Sequence, residues 1–172
     1  IPGQTQDFST FLSKIKEAEP ELLYIGAAYS DCANIVKQAH NLDINIPMMA
    51  NASNMKEEFL DIGGDGVEGF LFVSSLDPSY QGEKFVQFKK NFEEKVASVV
   101  DPQSLQMYDL ANMFCTALKE YGPDREKINE YMRNVQGYEG VNATINMVNG
   151  SPKKPMGPVT IKNGEFVTYT GE

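Results

Sequence analysis

Leu22-Leu23-Tyr24-Ile25 is an uninterrupted apolar run that passes through Gly26-Ala27-Ala28 into Tyr29-Ser30-Asp31 and then into the helical pattern Cys32 to His40. This is the stretch that most narrows the choice of fold. An unbroken apolar run fits a strand covered on both faces, as in a parallel sheet, and Gly26 lets the backbone leave that strand close to another group. Asp31 is placed to cap a helix that shows Ile35, Val36 and Ala39 on one side. Strand, turn and helix therefore meet at Ala28 to Asp31, where an open α/β sheet places ligands. An ordinary βα corner without a ligand has the same pattern.

The flanking sequence extends the alternation. Phe8, Phe11, Leu12, Ile15 and Ala18 recur at helical spacing, so residues 7–18 form an amphipathic helix ended by Pro20. Ile46 to Ala50 reads as a second strand, parallel to the first through a right-handed crossover. Asn51-Ala52-Ser53-Asn54 then leaves it as Ala28 to Asp31 leaves the first. Residues 55–62 are helical, and Val67 to Val73 gives a third parallel strand, with helices expected on both faces of the sheet. The glycines of Gly63-Gly64-Asp65-Gly66 follow a helix and precede a strand, so they end a helix and do not cradle a phosphate.

After Ser74-Ser75-Leu76-Asp77-Pro78, a crossover out of the sheet, the chain becomes helical. One apolar stripe runs through Phe85, Phe88, Phe92 and Val96, and another through Leu105, Tyr108, Ala111, Met113, Cys115 and Leu118. Asp124 caps a third helix ending near Val135. The tail is β: Val141 to Val148, an Asn149-Gly150 turn, and a last hairpin closed by Asn163-Gly164. Lys153-Lys154-Pro155 with Gly157-Pro158 reads as a second linker.

With 172 residues, 41% hydrophobic, the chain can bury a core as one domain or two small subdomains. Its net charge of −9, with no basic run longer than a lysine pair, argues against nucleic acid as a partner. No apolar run approaches the length of a membrane span. The start at Ile1-Pro2-Gly3, without Met, suggests that residues precede it. Cys32 and Cys115 lack the close spacing of a zinc or redox pair and are expected to be separate thiols. His40, the only histidine, belongs at a helix C-terminus. No metal and no cofactor is expected.

The order of elements carries a resemblance. Asp7-Phe8-Ser9 with Ile15-Lys16, Ile25 to Ala39, and Gly64-Asp65-Gly66-Val67-Glu68-Gly69 begin the series. It continues through Tyr108-Asp109-Leu110-Ala111, Arg133-Asn134-Val135, Tyr138-Glu139-Gly140-Val141 and Lys162-Asn163-Gly164-Glu165-Phe166. Together these stretches resemble the C-terminal half of the solute-binding proteins of branched-chain amino-acid ABC transporters, the leucine/isoleucine/valine-binding type. The resemblance implies an α/β, type I periplasmic-binding-protein-like fold: a parallel sheet with flanking helices in a partial two-lobed arrangement that closes on its ligand. Residues 1–76 and 157–172 would belong to the second lobe and residues 79–153 to the first, and the chain would be a fragment of a larger binding protein. Apolar surfaces on the Phe85 and Met113 helices would then lack their cover, so the fragment is expected to form a homo-oligomer.

By the same resemblance the function is that of an extracytoplasmic solute-binding component of an ABC importer, periplasmic or lipid-anchored, serving the permease subunits. The ligand-sensing ectodomain of a receptor is the alternative. An enzyme is the remote one, since only Ser30-Asp31 and Ser53 near Glu57 and Glu58 bring a nucleophile toward an acid. Ala28, Tyr29, Ser30, Asn51, Ala52 and Ser53 are the candidate ligand residues. The family places an aromatic ring near the first turn, where this chain has Ala28 followed by Tyr29, and an acid after the second strand, where Asn51 to Asn54 carry no charge. Those turn residues either contact a neutral or differently charged solute or merely cap a helix and form Asx turns.

Overall fold

The computed structural model describes residues 6–171, so the opening Ile1-Pro2-Gly3 and the final Glu172 lie outside it. The chain divides into two compact units: one holds the described residues through Ser79 and those from Gly157 onward, the other Tyr80–Met156.

The first unit begins with α1 (Ser9–Ala18), β1 (Leu23–Tyr24), α2 (Tyr29–Asn41), β2 (Met48–Asn51), α3 (Glu57–Gly63) and β3 (Leu71–Ser74). The three strands are parallel neighbours, as the sequence implies, with Leu23 opposite Met48 and Met49 opposite Leu71. α1 is fastened to α2: Gln38 Oε1 accepts from the Phe8 N–H at 2.8 Å, and Lys16 Nζ donates to Leu42 O at 2.6 Å.

Among the described residues, one face of this sheet is covered and the other is largely open. Met48, Ala50 and Phe72 are buried, and Phe59 of α3 packs its ring 5.6 Å from that of Phe72. On the opposite face Tyr24 is 56% exposed and Val73 45%. Crossovers that step in one direction from β1 to β2 to β3 put their helices on the same side. The expectations of a first strand covered on both faces and of helices on both sides are therefore corrected.

Boundaries differ for local reasons. α2 starts at Tyr29 with Ala28 at the N-cap position, so Asp31 is not the N-cap residue. It lies in the first turn, where a carboxylate meets the positive end of the helix. β3 starts at Leu71 because residues 64–67 form a 3₁₀ turn that inserts Val67 into the core without pairing. The turn runs close against α2, where a Cβ on Gly66 would come to 3.2 Å from Lys37 Cα.

The second unit contains α4 (Glu83–Val96), α5 (Pro102–Tyr121), α6 (Arg125–Asn134) and a small antiparallel sheet of β4 (Tyr138–Glu139), β5 (Thr144–Val148) and β6 (Ser151–Lys153). Asp101 and Asp124 cap α5 and α6, Asp101 accepting from Ser104 N at 2.7 Å and Asp124 from Glu126 N and Lys127 N at 3.1 Å. Met113, Ile145 and Met147 form a core against Met132, Val135 and Tyr138. The buried line of α5 is Leu105, Asp109, Met113 and Ala117, whereas Tyr108, Ala111, Cys115 and Leu118 of the expected stripe are exposed. Asp109 can lie on the inner line because its Oδ1 accepts from the buried Val141 N–H at 2.9 Å. Phe85 and Met113 are themselves buried, but the helices that carry them leave apolar surface exposed at Val86 and Val96 of α4 and at Met107, Leu110, Phe114 and Leu118 of α5.

The chain then returns to the first unit as β7 (Gly157–Lys162) and β8 (Glu165–Thr168), giving the order β1-β2-β3-β7-β8 with β7 and β8 antiparallel. Asn163 and Gly164, with φ of 55° and 74°, form the turn between them. Among the described residues no helix is long and apolar enough to cross a membrane.

Candidate functional site

Because β1, β2 and β3 run parallel, the turns at their carboxyl ends share one edge of the sheet. At the first, Ile25 N–H still pairs with Met49 O at 2.8 Å, and the chain then leaves through exposed Gly26. Ala28 turns it with extended backbone angles, and Cys32 N–H donates to Ala28 O at 2.8 Å to open α2. Tyr29 and Ser30 are half-buried, Ala28 is exposed, and the first N–H groups of the helix have no intrahelical acceptor.

The second turn is a self-contained cap. Asn51 Oδ1 accepts from the Ser53 N–H at 3.0 Å, from the Ser53 hydroxyl, and from Asn54 Nδ2 at 3.2 Å, which winds Ala52–Asn54 into a 3₁₀ turn. Asn51 and Ser53 are exposed and Ala52 half-buried, and this turn packs against α2. The six candidate residues are thus carried by adjacent strand ends. With its oxygen engaged, Asn51 has its amide NH₂ left to offer, beside the oxygen of the Ser53 hydroxyl.

Two residues at this edge escaped the sequence reading. Asn54 is fully buried, and its Oδ1 has no partner among the described residues. Ser74, also buried, accepts from Leu76 N–H at 2.9 Å and shapes the third turn. The available signal was positional: each of the three parallel strands runs out into a polar turn.

A wide groove lies elsewhere. A groove of about 1050 Å³ in the second unit is lined by Lys84, Phe88, Phe92, Tyr108, Asn112 and Tyr138 among others, and by none of the six candidates. A smaller one of about 190 Å³, near His40, Pro47 and Phe70, sits at the amino ends of β2 and β3. Among the described residues no cluster of His, Cys, Asp and Glu could hold a metal ion. The sheet edge offers amide and hydroxyl donors and one aromatic ring.

A parallel sheet with polar turns gathered at its carboxyl edge, in a chain that leaves for a second α/β unit and returns, defines the architecture of a two-unit binding protein. A family model described as periplasmic binding protein matches residues 1–165, and the chain belongs to that family. The Leu/Ile/Val-binding protein homolog 4 of Brucella abortus is 24% identical over 168 residues, which cover 95% of this chain and 36% of that protein. The leucine-binding protein LivK of Thermotoga maritima superposes with a TM-score of 0.89 at 28% identity, covering 99% of this chain and 49% of the other. An ABC-transporter solute-binding protein from R. palustris, in complex with benzoate, superposes at 0.86 with 17% identity, covering 98% and 47%. The chain therefore spans about half the length of these solved relatives, and its likeness to the C-terminal half of the leucine/isoleucine/valine-binding type holds.

Proposed function

We propose that this chain is part of an extracytoplasmic solute-binding component of an ABC importer, which captures a small polar solute and presents it to permease subunits. On this reading residues 1–76 and 157–172 belong to the second lobe and residues 79–153 to the first. The protein binds its solute without transforming it. The family membership and the names of the relatives support this reading.

The first unit supplies one wall of the solute site at the carboxyl edge of its sheet, with Ala28, Tyr29, Ser30, Asn51, Ala52 and Ser53 as the contact residues. Tyr29 packs its ring on the solute, while the Asn51 amide and Ser53 hydroxyl hydrogen-bond to it. The carrying observation is that the second turn is uncharged and that its exposed amide oxygen, Asn51 Oδ1, is already committed to Ser53 and Asn54, while the amide oxygen of Asn54 is buried. A desolvated ammonium without a carboxylate partner costs several kcal/mol, on the order of 2–7 for polar groups and more for ions. The preferred solute is therefore neutral or acceptor-rich on this side, and plain leucine or valine is not favoured.

Calorimetry on the full-length protein tests the reading with L-leucine, L-valine and benzoate as probes. Submicromolar leucine or valine binding that survives Asn51→Ala and Ser53→Ala would refute both the site and the solute class.

A further inference from the structure

The two connections between the units leave the first unit side by side. Ser74, at the end of β3, is paired with Gly157, at the start of β7. The outgoing connection is held as far as Ser79: Leu76 is buried and donates its N–H to Ser74 Oγ, and Asp77 Oδ1 accepts from Ser79 N–H at 2.9 Å and from Ser79 Oγ at 2.7 Å. The same oxygen accepts from Thr168 Oγ1 at 2.5 Å, across ninety-one positions of sequence. Thr168 lies opposite Val159, and Tyr169 N–H donates to Pro158 O, so β8 in turn grips the first residues of the returning connection. One carboxylate oxygen thereby joins the last fixed residue of the outgoing connection to the strand that holds the returning one. The second unit begins at the next residue, Tyr80.

We infer that Asp77 is a positioning residue for both connections: by tying Ser79 to Thr168 it sets the direction in which each leaves the first unit and limits the range of arrangements that the two units sample. The inference rests on the two-lobed reading of the protein. An Asx turn alone needs only the bonds to Ser79. The bond to Thr168 adds a constraint between distant segments, and the carboxylate makes it charge-assisted.

Pulsed electron-spin distance measurements on the full-length protein test this. One pair of spin labels, at Lys37→Cys and Glu126→Cys in a Cys115→Ser background, spans the units; a second, at Lys37→Cys and Glu165→Cys, lies within the first. Asp77→Ala and Thr168→Val are expected to widen the inter-unit distance distribution about twofold while the intra-unit pair stays unchanged. Asp77→Asn, which keeps an acceptor oxygen, restores most of the narrow distribution. An inter-unit distribution as narrow in Asp77→Ala as in the parent overturns the inference. So does equal widening of the intra-unit pair, which would reduce Asp77 to a part of the local fold. The two-lobed reading fails by a separate result: a solute that binds by calorimetry yet leaves the parent's inter-unit distance unmoved.

Discussion

Asn51 Oδ1 accepts both the backbone N–H and the hydroxyl of Ser53, so the two polar residues of the second turn are bonded to each other. A capping role and a solute-binding role therefore coincide in the same atoms, and substitutions can separate them. Asn51→Ala removes the cap and should cost about 1 kcal/mol of stability. Asn51→Asp keeps the capping oxygen but replaces the amide donor by a charge. It should melt within a few degrees of the parent while its affinity for an acceptor-rich solute falls at least tenfold. Paired thermal melts and calorimetry on the full-length protein decide it; an unchanged affinity in Asn51→Asp would leave Asn51 as a cap only.

The thiols should behave as opposites. Cys32 is buried and unbridged, and burial pushes its pKa up to about 12, whereas Cys115 is exposed. Below that value Cys32 stays a protonated thiol, and the thiolate is the reactive form. An Ellman titration of this chain near pH 8 should label Cys115 within minutes and Cys32 only after denaturation. Two equivalents should appear without any reductant, and fast labelling of both would contradict the burial of α2.

The parallel strands were legible because their apolar runs are bounded by turn residues, and the last hairpin because Asn163-Gly164 fits a two-residue turn. What stayed hidden was the partner that decides each ambiguous residue. Val67 is apolar whether it sits in a strand or in a 3₁₀ turn, and nothing in the sequence shows that Gly66 will lie close against Lys37 of α2. Asp109 disguised the inner line of α5, since nothing in the sequence shows that a distant backbone N–H will accept it as a core residue. At the sheet edge the polar turns could be read from their place after apolar runs. The engagement of Asn51 Oδ1 could not, because a short polar side chain is equally able to reach its own backbone or a ligand.

Asp109 makes a prediction about pH. Burial raises its pKa, opposed by the Val141 N–H and by the charges of Lys154 and Lys84. A carboxyl whose folded pKa lies above its unfolded value binds its proton more tightly when folded. Its contribution to stability is full below the ordinary carboxylate range and is lost as pH rises through the folded pKa. Asp109→Asn keeps an acceptor for Val141 and removes the charge. Relative to the parent it should be equal or more stable at pH 7 and lose that advantage toward pH 4. Melting temperatures across this range, compared as a difference so that other carboxylates cancel, would contradict the assignment if the variant were weaker at pH 7 than at pH 4.

Gly140 tests the same junction by volume. A Cβ there would lie 2.7 Å from Ala143 O, 2.8 Å from Asp109 Oδ2 and 3.1 Å from Ile145 Cδ1. The backbone oxygen cannot retreat without unravelling the turn, so Gly140→Ala should cost about 1–3 kcal/mol. Urea unfolding of the full-length protein measures it, and a cost below about 0.5 kcal/mol would show that the turn is looser than drawn.

The last prediction concerns α5, whose buried line of Leu105, Met113 and Ala117 is matched on the opposite side by exposed Met107, Leu110, Phe114 and Leu118. These four recur at three- and four-residue steps, so they form a second stripe along the same helix. A helix apolar on two sides belongs in the interior of a larger body, and this chain spans about half the length of its solved relatives. Exposed side chains on that scale drive association. The 172-residue chain on its own should therefore be a dimer or larger at tens of micromolar, as seen by multi-angle light scattering. Replacing Leu110 and Phe114 by glutamate should shift it toward monomer with little change in melting temperature, because neither side chain belongs to the buried line. A parent chain that is monomeric at that concentration would refute the association. An oligomer indifferent to both substitutions would move the contact to another surface, of which the open sheet face carrying Tyr24 and Val73 is the first to test.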